Sequence, residues 1–437
     1  MTYKEARVYL DEVSKYGSVL GLDSIRDLLC EVGNPQDELI FIHIAGTNGK
    51  GSVLAYTSTI FSEAGLRTGR YVSPTVLGYR ERIQIDGQWI SEEIFAELVE
   101  EVQKAVARME ADGKASPTVF EVETAIAFLY FRKMQCDIVV LETGLGGSLD
   151  ATNIVTNTTI AVFATISRDH MGFLGDTLEE IATNKAGIIK PGCLVVSAPQ
   201  EECVRQVLDA KAKECGTKVI YVEQEQICVQ EESYKGQTFS YQQTTPIFIP
   251  LAGRYQLTNA ATAWEVVQAW NQLSKQDPKK WISQQALKDG FANTIWNGRF
   301  TCISEKPIFL VDGAHNEDAA KKLRESVETY FPGKKLIYIM GVFQDKEYKK
   351  IVDLMLPYAK CVFTVNLPDE NRSLDAEVLA QTIQHASHGK VPVQAVGEIE
   401  KAVELVLEQA EEDDVILAFG SLSYLGRVMQ KGKRKEL

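Results

Sequence analysis

The sequence predicts an α/β protein of two domains, each built on a mainly parallel sheet, and three observations lead there. A strand-length apolar run, Leu39 to Ile44, enters a glycine-rich loop that opens a helix. Five short apolar runs after residue 307 alternate with helical patterns, as in a sheet with right-handed crossovers. The 437 residues also exceed the roughly 250 to 300 at which a single core stops growing.

Taken in order, MTYKEARVYLDEV reads as an amphipathic helix rather than a signal peptide. The strand Leu39 to Ile44 is followed by Gly46, Thr47, Asn48, Gly49, Lys50, Gly51 and Ser52, then by a helix over Ser52 to Ala64 closed by Gly65. Glycines let the backbone approach a ligand, the first helical N–H groups point at it, and Lys50 adds a cation: this is the chemistry of a nucleotide triphosphate loop. The strict G-x-x-x-x-G-K-[ST] pattern fails twice, because Ile44 stands at its first glycine and Gly51 separates Lys50 from Ser52. A strand over Asp137 to Leu141 leads to Glu142 and a glycine-rich turn ending at Asp150. A strand over Thr159 to Ile166 leads to Asp169 and His170, and a helix capped by Asp176, with Glu179, carries Lys185. Glu223 to Pro250 is polar with β-rich pieces such as Thr238 to Tyr241, and a helix follows near Asn259. Ile295 to Arg299 forms the linker, with an Asn-Gly turn signal, dividing the chain at 1–296 and 297–437. The second series of strands is Ile308 to Val311, Leu336 to Met340, Cys361 to Val365, Val391 to Val396 and Val415 to Phe419.

The formal charge of −14 argues against a nucleic-acid partner and requires a local basic patch for an anionic substrate. No run approaches the roughly 18 apolar residues of a membrane helix, and the 45% apolar content is that of a globular chain. Eight scattered cysteines without a C-x-x-C pair read as reduced thiols, so the expected setting is the cytoplasm.

Three constellations follow strands, where an α/β fold places its chemistry. Glu142 supplies a carboxylate able to hold Mg²⁺ beside a nucleotide. His170 and Lys185 read on their own as a loop histidine and a solvated lysine. Asp312 and His315, in IFLVDGAHN, read on their own as an Asp-Gly turn with a capping residue.

Together these segments resemble the folylpolyglutamate synthase and dihydrofolate synthase family, a branch of the ATP-dependent Mur-type ligases. The matching stretches are GTNGKGS at 46 to 52, SP and RERI between Ser73 and Ile83, TVFE at 118 to 121 and ETGLGGSLDATN at 142 to 153. They continue with DHMGFLGDTLEEIATNKAGIIKPG at 169 to 192, Gln256 with NAA at 259 to 261, DGAHN at 312 to 316 and a final GSLSYLGRV. The resemblance implies a P-loop Mur-ligase-type ATPase domain followed by a Rossmann-like domain, with the active site between them. It implies addition of L-glutamate to a folate or folylpolyglutamate through an acyl phosphate, with dihydropteroate as a second possible acceptor. ATP and two Mg²⁺ ions are the implied cofactors. Lys50 would neutralise the β- and γ-phosphates, Ser73 and Glu142 would hold one Mg²⁺, and His170 the second. Lys185 matches a lysine carbamylated in this family. Gln256 and Asn259 match its adenine side, and Arg299, Asp312 and His315 its second-domain groups at the nucleotide. Arg82, Phe120, Asp150 and Ser421 fall on the substrate side, Asp150 and Phe120 being equally readable as a turn cap and as core. Tyr255 departs from the family, standing before Gln256 where histidine is frequent; Thr75 and Ser148 depart as well. A monomer acting on small molecules is expected.

Two other readings remain open at the level of sequence. One is a Mur-type ligase acting on a cell-wall nucleotide, which would need more than the roughly 45 residues that precede the loop. The other is a P-loop NTPase switch, which leaves His170, Lys185 and DGAHN unexplained.

Overall fold

The computed structural model describes residues 1–14, 21–168 and 174–433. The chain forms two compact units. The first comprises Met1–Ser73, Arg80–Ile227 and Thr258–Asn293, the second Pro74–Tyr79, Cys228–Leu257 and Thr294–Leu437. The chain thus passes between the units several times.

The first unit is built on strands β1 (Phe41–Ala45), β2 (Thr68–Tyr71), β3 (Ile83–Ile85), β4 (Gln88–Trp89), β5 (Ile138–Glu142), β6 (Thr158–Phe163), β7 (Leu194–Ser197) and β8 (Val219–Tyr221). Their order is β4-β3-β2-β5-β1-β6-β7-β8. β2, β5, β1, β6, β7 and β8 run parallel, while β3 and β4 are antiparallel additions at one edge. The central strands are buried from end to end, which explains their continuous apolar runs. Ile44 is paired with Glu142 on one side and Val162 on the other, so the ends of β1, β5 and β6 open at one edge. The chain order reverses around β1, the switch point at which open α/β sheets bind ligands.

Three boundaries shift for physical reasons. β6 ends at Phe163 rather than Ile166, because the Thr165 carbonyl accepts hydrogen bonds from Thr47 N at 2.8 Å and Asn48 N at 3.2 Å in an isolated antiparallel bridge. The helix after β1 spans Lys50–Glu63 and begins ahead of Ser52, with Gly49 as its cap at φ +94°. It is buried almost all round, Ser52, Thr57 and Ser58 included, with Ile60 against Gly290 of the helix Gln284–Ala292. The helix expected to be capped by Asp176 spans Leu178–Ala186, and its cap is Thr177. Thr177 Oγ1 accepts from Glu180 N at 3.2 Å and Glu180 accepts from Thr177 N at 3.2 Å, while Asp176 only adds a backbone donor to the same carboxylate.

The second unit carries a three-stranded sheet of β9 (Ile227–Ser233), β10 (Gly236–Tyr241) and β11 (Ile247–Ile249), ordered β11-β10-β9. Its main sheet contains β12 (Thr301–Glu305), β13 (Ile308–Val311), β14 (Leu336–Met340), β15 (Ala359–Val365), β16 (Val393–Gly397) and β17 (Val415–Phe419), ordered β12-β13-β17-β14-β15-β16. The five strands expected after residue 307 are all present and parallel. β12 was not expected: it is a half-buried antiparallel edge strand whose TCISE carries little apolar signal. Two apolar clusters cover the two faces, one around Leu323, Tyr338 and Leu417, the other around Ile339, Val403 and Ile416.

Candidate active site

In the first unit, the loop after β1 is held by the residues that follow β6. Thr47 Oγ1 donates to the Ser167 carbonyl at 2.9 Å and accepts from Ser167 N at 3.1 Å. Gln200, which sequence reasoning missed, ties this clasp down by donating to Ala164 O at 2.9 Å and accepting from Ile166 N at 3.0 Å. Its only sequence signal is its place just after β7. Gly46 and Gly49 have left-handed φ angles of +151° and +94°. A Cβ at Gly49 would lie 2.6 Å from Asn259 Oδ1, so the loop fits against the helix Tyr255–Leu273 only as glycine.

Lys50 is half-buried rather than exposed, with 17% of its side chain accessible, and its Nζ lies 3.8 Å from Oε1 of Glu142. Glu142 ends β5, 5% exposed, and its other oxygen accepts from Ser73 N at 3.4 Å. Ser73 follows β2, the strand paired with β5. Three neighbouring strand ends thereby assemble a cation, a carboxylate and a hydroxyl-bearing residue. Ser52 is buried in the first turn of the helix.

Lys185 is 4% exposed and donates from Nζ to the Gly46 carbonyl at 2.9 Å, so it is no solvated lysine. The turn after β5 packs onto its helix. Ser148 N and Oγ both donate to Asn184 O at 2.8 Å, and a Cβ at Gly147 would lie 2.7 Å from Lys185 Cα. Asp150 caps the far end of that turn, buried, accepting from Leu145 N at 2.7 Å and from Thr152 N and Oγ1 at 3.0 and 2.5 Å. Burial pushes its carboxyl pKa up, against the hydrogen bonds from Leu145 and Thr152. Thr152 Oγ1 also meets Nε2 of His43, a fully buried histidine on β1 whose pKa burial lowers to about 3. The ring of Phe120 lies over Gly144, filling the position a Cβ would take, and sits 5.9 Å from the Tyr71 ring. Arg82, expected toward an anionic tail, is ion-paired with buried Glu123 at 3.3 Å. Asp169 and His170 lie outside the described residues.

In the second unit, Asp312 follows β13 and Ser421 follows β17, its parallel neighbour. Asp312 is buried and accepts from Phe300 N and Ala314 N at 2.8 Å each and from the Tyr255 hydroxyl at 3.3 Å. Burial raises its pKa, with the Arg299 guanidinium the strongest opposing influence. Arg299 lies against Gly313, and His315 Nδ1 meets the Gly313 carbonyl at 2.8 Å. Gln256 is fully buried in the first turn of its helix, and Ser421 Oγ shares a 2.9 Å hydrogen bond with Ser423 Oγ.

The chain is similar to known proteins along nearly its whole length. The Mur ligase middle domain matches residues 44–267, and the Mur ligase glutamate ligase domain residues 298–422. A dihydrofolate synthase/folylpolyglutamate synthase of Bacillus subtilis is 30% identical, over 99% of this chain and 99% of its own. A Mycobacterium tuberculosis folylpolyglutamate synthase solved with ADP matches with a TM-score of 0.88 at 27% identity, over 99% of each chain. An E. coli FolC solved with DHPP and ADP matches with a TM-score of 0.85 at 27% identity, over 98% of this chain and 97% of that one. Two Mur ligase domains in sequence and a relative 30% identical over 99% of both chains identify the chain as a ligase of the folylpolyglutamate synthase and dihydrofolate synthase family.

Proposed function

We propose that the chain is an ADP-forming folylpolyglutamate synthase, joining the amine of L-glutamate to the side-chain carboxylate of a reduced folate or folylpolyglutamate, with dihydropteroate as a second acceptor. The observation that carries the reading is the convergence of Lys50, Glu142 and Lys185 on one loop, Lys50 Nζ 3.8 Å from Glu142 and Lys185 Nζ 2.9 Å from Gly46 O. A carboxylate does not react with an amine, because its oxygen is a poor leaving group. In the proposed sequence the acceptor carboxylate attacks the γ-phosphorus and ADP departs. The glutamate amine then attacks the acyl carbon, and phosphate leaves with the acyl oxygen while the amine loses a proton.

Each step asks for something the residues can supply. The N–H groups that open the helix Lys50–Glu63, together with Lys50, balance the charge of the β- and γ-phosphates. The set around Glu142 and Ser73 suits Mg²⁺, which binds through one or two carboxylates and completes its shell with phosphate oxygens and water. When bound, the ion would draw charge from the transferring phosphoryl group. The buried amine of Lys185 is the group we assign to carbamylation, since capture of CO₂ requires an uncharged amine and burial disfavours the charged one. His170 remains the proposed holder of a second ion. Gln256 and Asn259 are assigned to the adenine side, Arg299, Asp312 and His315 to the nucleotide, and Arg82, Phe120, Asp150 and Ser421 to the folate side. The acceptors of the Asp150 carboxylate are already engaged by its own turn, so it serves the shape of that turn at least as much as the ligand.

Phosphate release in the presence of ATP and Mg²⁺ tests the reading: it should require both glutamate and a pteroyl acceptor. Comparing tetrahydrofolate with dihydropteroate as the acceptor separates the two activities.

A further inference from the structure

Within the second unit, the buried polar cluster around Asp312 includes a group that the reaction scheme above does not use, the phenol of Tyr255. Its hydroxyl donates to Asp312 Oδ2 at 3.3 Å, the same oxygen that accepts from Phe300 N at 2.8 Å. The phenol is held on several sides. Gly253, at φ +98°, has its Cβ position filled by the edge of the Tyr255 ring, and Gly253 N donates to the Tyr330 hydroxyl at 2.9 Å. Phe300, which gives Asp312 one of its donors, is a buried aromatic residue at φ +46°, a left-handed conformation a bulky side chain rarely adopts. Its ring lies 5.7 Å from that of Tyr330, and Arg299 precedes it in the same turn. Strain of this kind persists only where surrounding contacts over-determine it, and it clusters at working sites. Asp312 is the acceptor that holds the turn in this shape, and Gly313 N, donating to Gly298 O at 2.9 Å, closes it from the other side.

We propose that Tyr255 is a positioning residue for ligation, acting through Asp312 on the turns that present Arg299 and His315. The proposal rests on the ligase reading given above. The titratable and charged groups facing the cluster are Arg299 and His315 from the two turns, Tyr330 from the helix Glu317–Tyr330, and Tyr255 itself. Burial lifts the Tyr255 pKa well above its ordinary value, so it remains a donor throughout the working pH range. Burial also raises the Asp312 pKa, and the hydrogen bonds from Ala314, Phe300 and Tyr255 join Arg299 in opposing the rise. Removing the phenol therefore leaves Asp312 easier to protonate.

Tyr255→Phe keeps the ring and removes the donor. Its kcat should fall about tenfold and the acid limb of its pH profile should move to higher pH, while loss of one hydrogen bond to a charged group lowers the melting temperature by only a few degrees. In an Asp312→Asn background the same substitution should change kcat less than twofold, because the charge to which the phenol is coupled is gone. An unmoved acid limb, or the same loss in both backgrounds, would overturn the proposal. Wild-type ADP formation that depends on folate and glutamate is the control. Its absence defeats the ligase reading and this proposal together, whereas its presence with an unaffected variant defeats only the role of Tyr255.

Discussion

Lys50 gives up part of its hydration to face Glu142, at 3.8 Å and with 17% of its side chain still accessible. A pair at that distance, partly solvated, contributes on the order of 1 kcal/mol or less to stability, whereas the same cation beside a triphosphate would add a full positive charge to the partial charges of the helix N–H groups. Lys50→Ala should therefore cost at least a hundredfold in kcat while the melting temperature shifts by no more than a few degrees; near-normal turnover would remove the phosphate-site reading. Lys185 is the opposite case, almost fully buried on the Gly46 carbonyl. Lys185→Ala should lose most activity, and formate or acetate should restore part of it if a carboxylate is what the active enzyme carries there. Restoration by neither acid, with the fold intact on a melting curve, would count against the carbamate.

At the scale of elements, the loop after β1 is constrained by neighbouring pieces. Gly49 caps the helix Lys50–Glu63 at φ +94° with Asn259 Oδ1 against its Cα. Gly49→Ala should lower stability by about 1 to 3 kcal/mol through strain and overlap and weaken ADP binding measured by calorimetry; equal affinity would show that the close fit to Asn259 is unnecessary. This loop was legible in the sequence, because glycines and a lysine between an apolar run and a helical pattern are local signals. So were the five parallel strands of the second unit: β13, β14 and β17 are apolar runs buried almost end to end, β15 is buried over its last four residues, and the edge strand β16 is only half-buried. β12 was not legible, since a half-buried edge strand has no such run. The cap of the helix Leu178–Ala186 was misread by one residue, because Asp176 and Thr177 are both good caps and only the reciprocal bond with Glu180 decides between them. The partners of Arg82 and Tyr255, Glu123 and Asp312, are contacts between separate stretches of chain that spacing does not encode.

For the molecule as a whole, stability should fall on the acid side for a reason that can be assigned to one residue. Burial holds His43 neutral down to about pH 3, against an ordinary value of 6.5. The unfolded chain takes up a proton below pH 6.5 and the folded one does not, so stability present above pH 6.5 is lost as pH falls toward 3. By pH 5 the loss from this residue is roughly 2 kcal/mol. His43→Gln, which keeps a donor for Thr152, should shrink the drop in melting temperature between pH 7 and pH 5 by a few degrees; an identical drop would mean other groups dominate. Among the described residues no helix is long and apolar enough to cross a membrane, and none of the eight cysteines is in a disulfide.

The central claim is that ATP cleavage here is tied to amide bond formation, and it is tested most directly by mass spectrometry of the pteroyl product alongside ADP measured in the same reaction. With ATP, Mg²⁺, tetrahydrofolate and isotopically labelled glutamate, one ADP should appear for each glutamyl residue added, and omission of glutamate or of the folate should suppress the steady rate. ADP formed at the full rate without either substrate, or a folate recovered without added glutamate, would contradict the account.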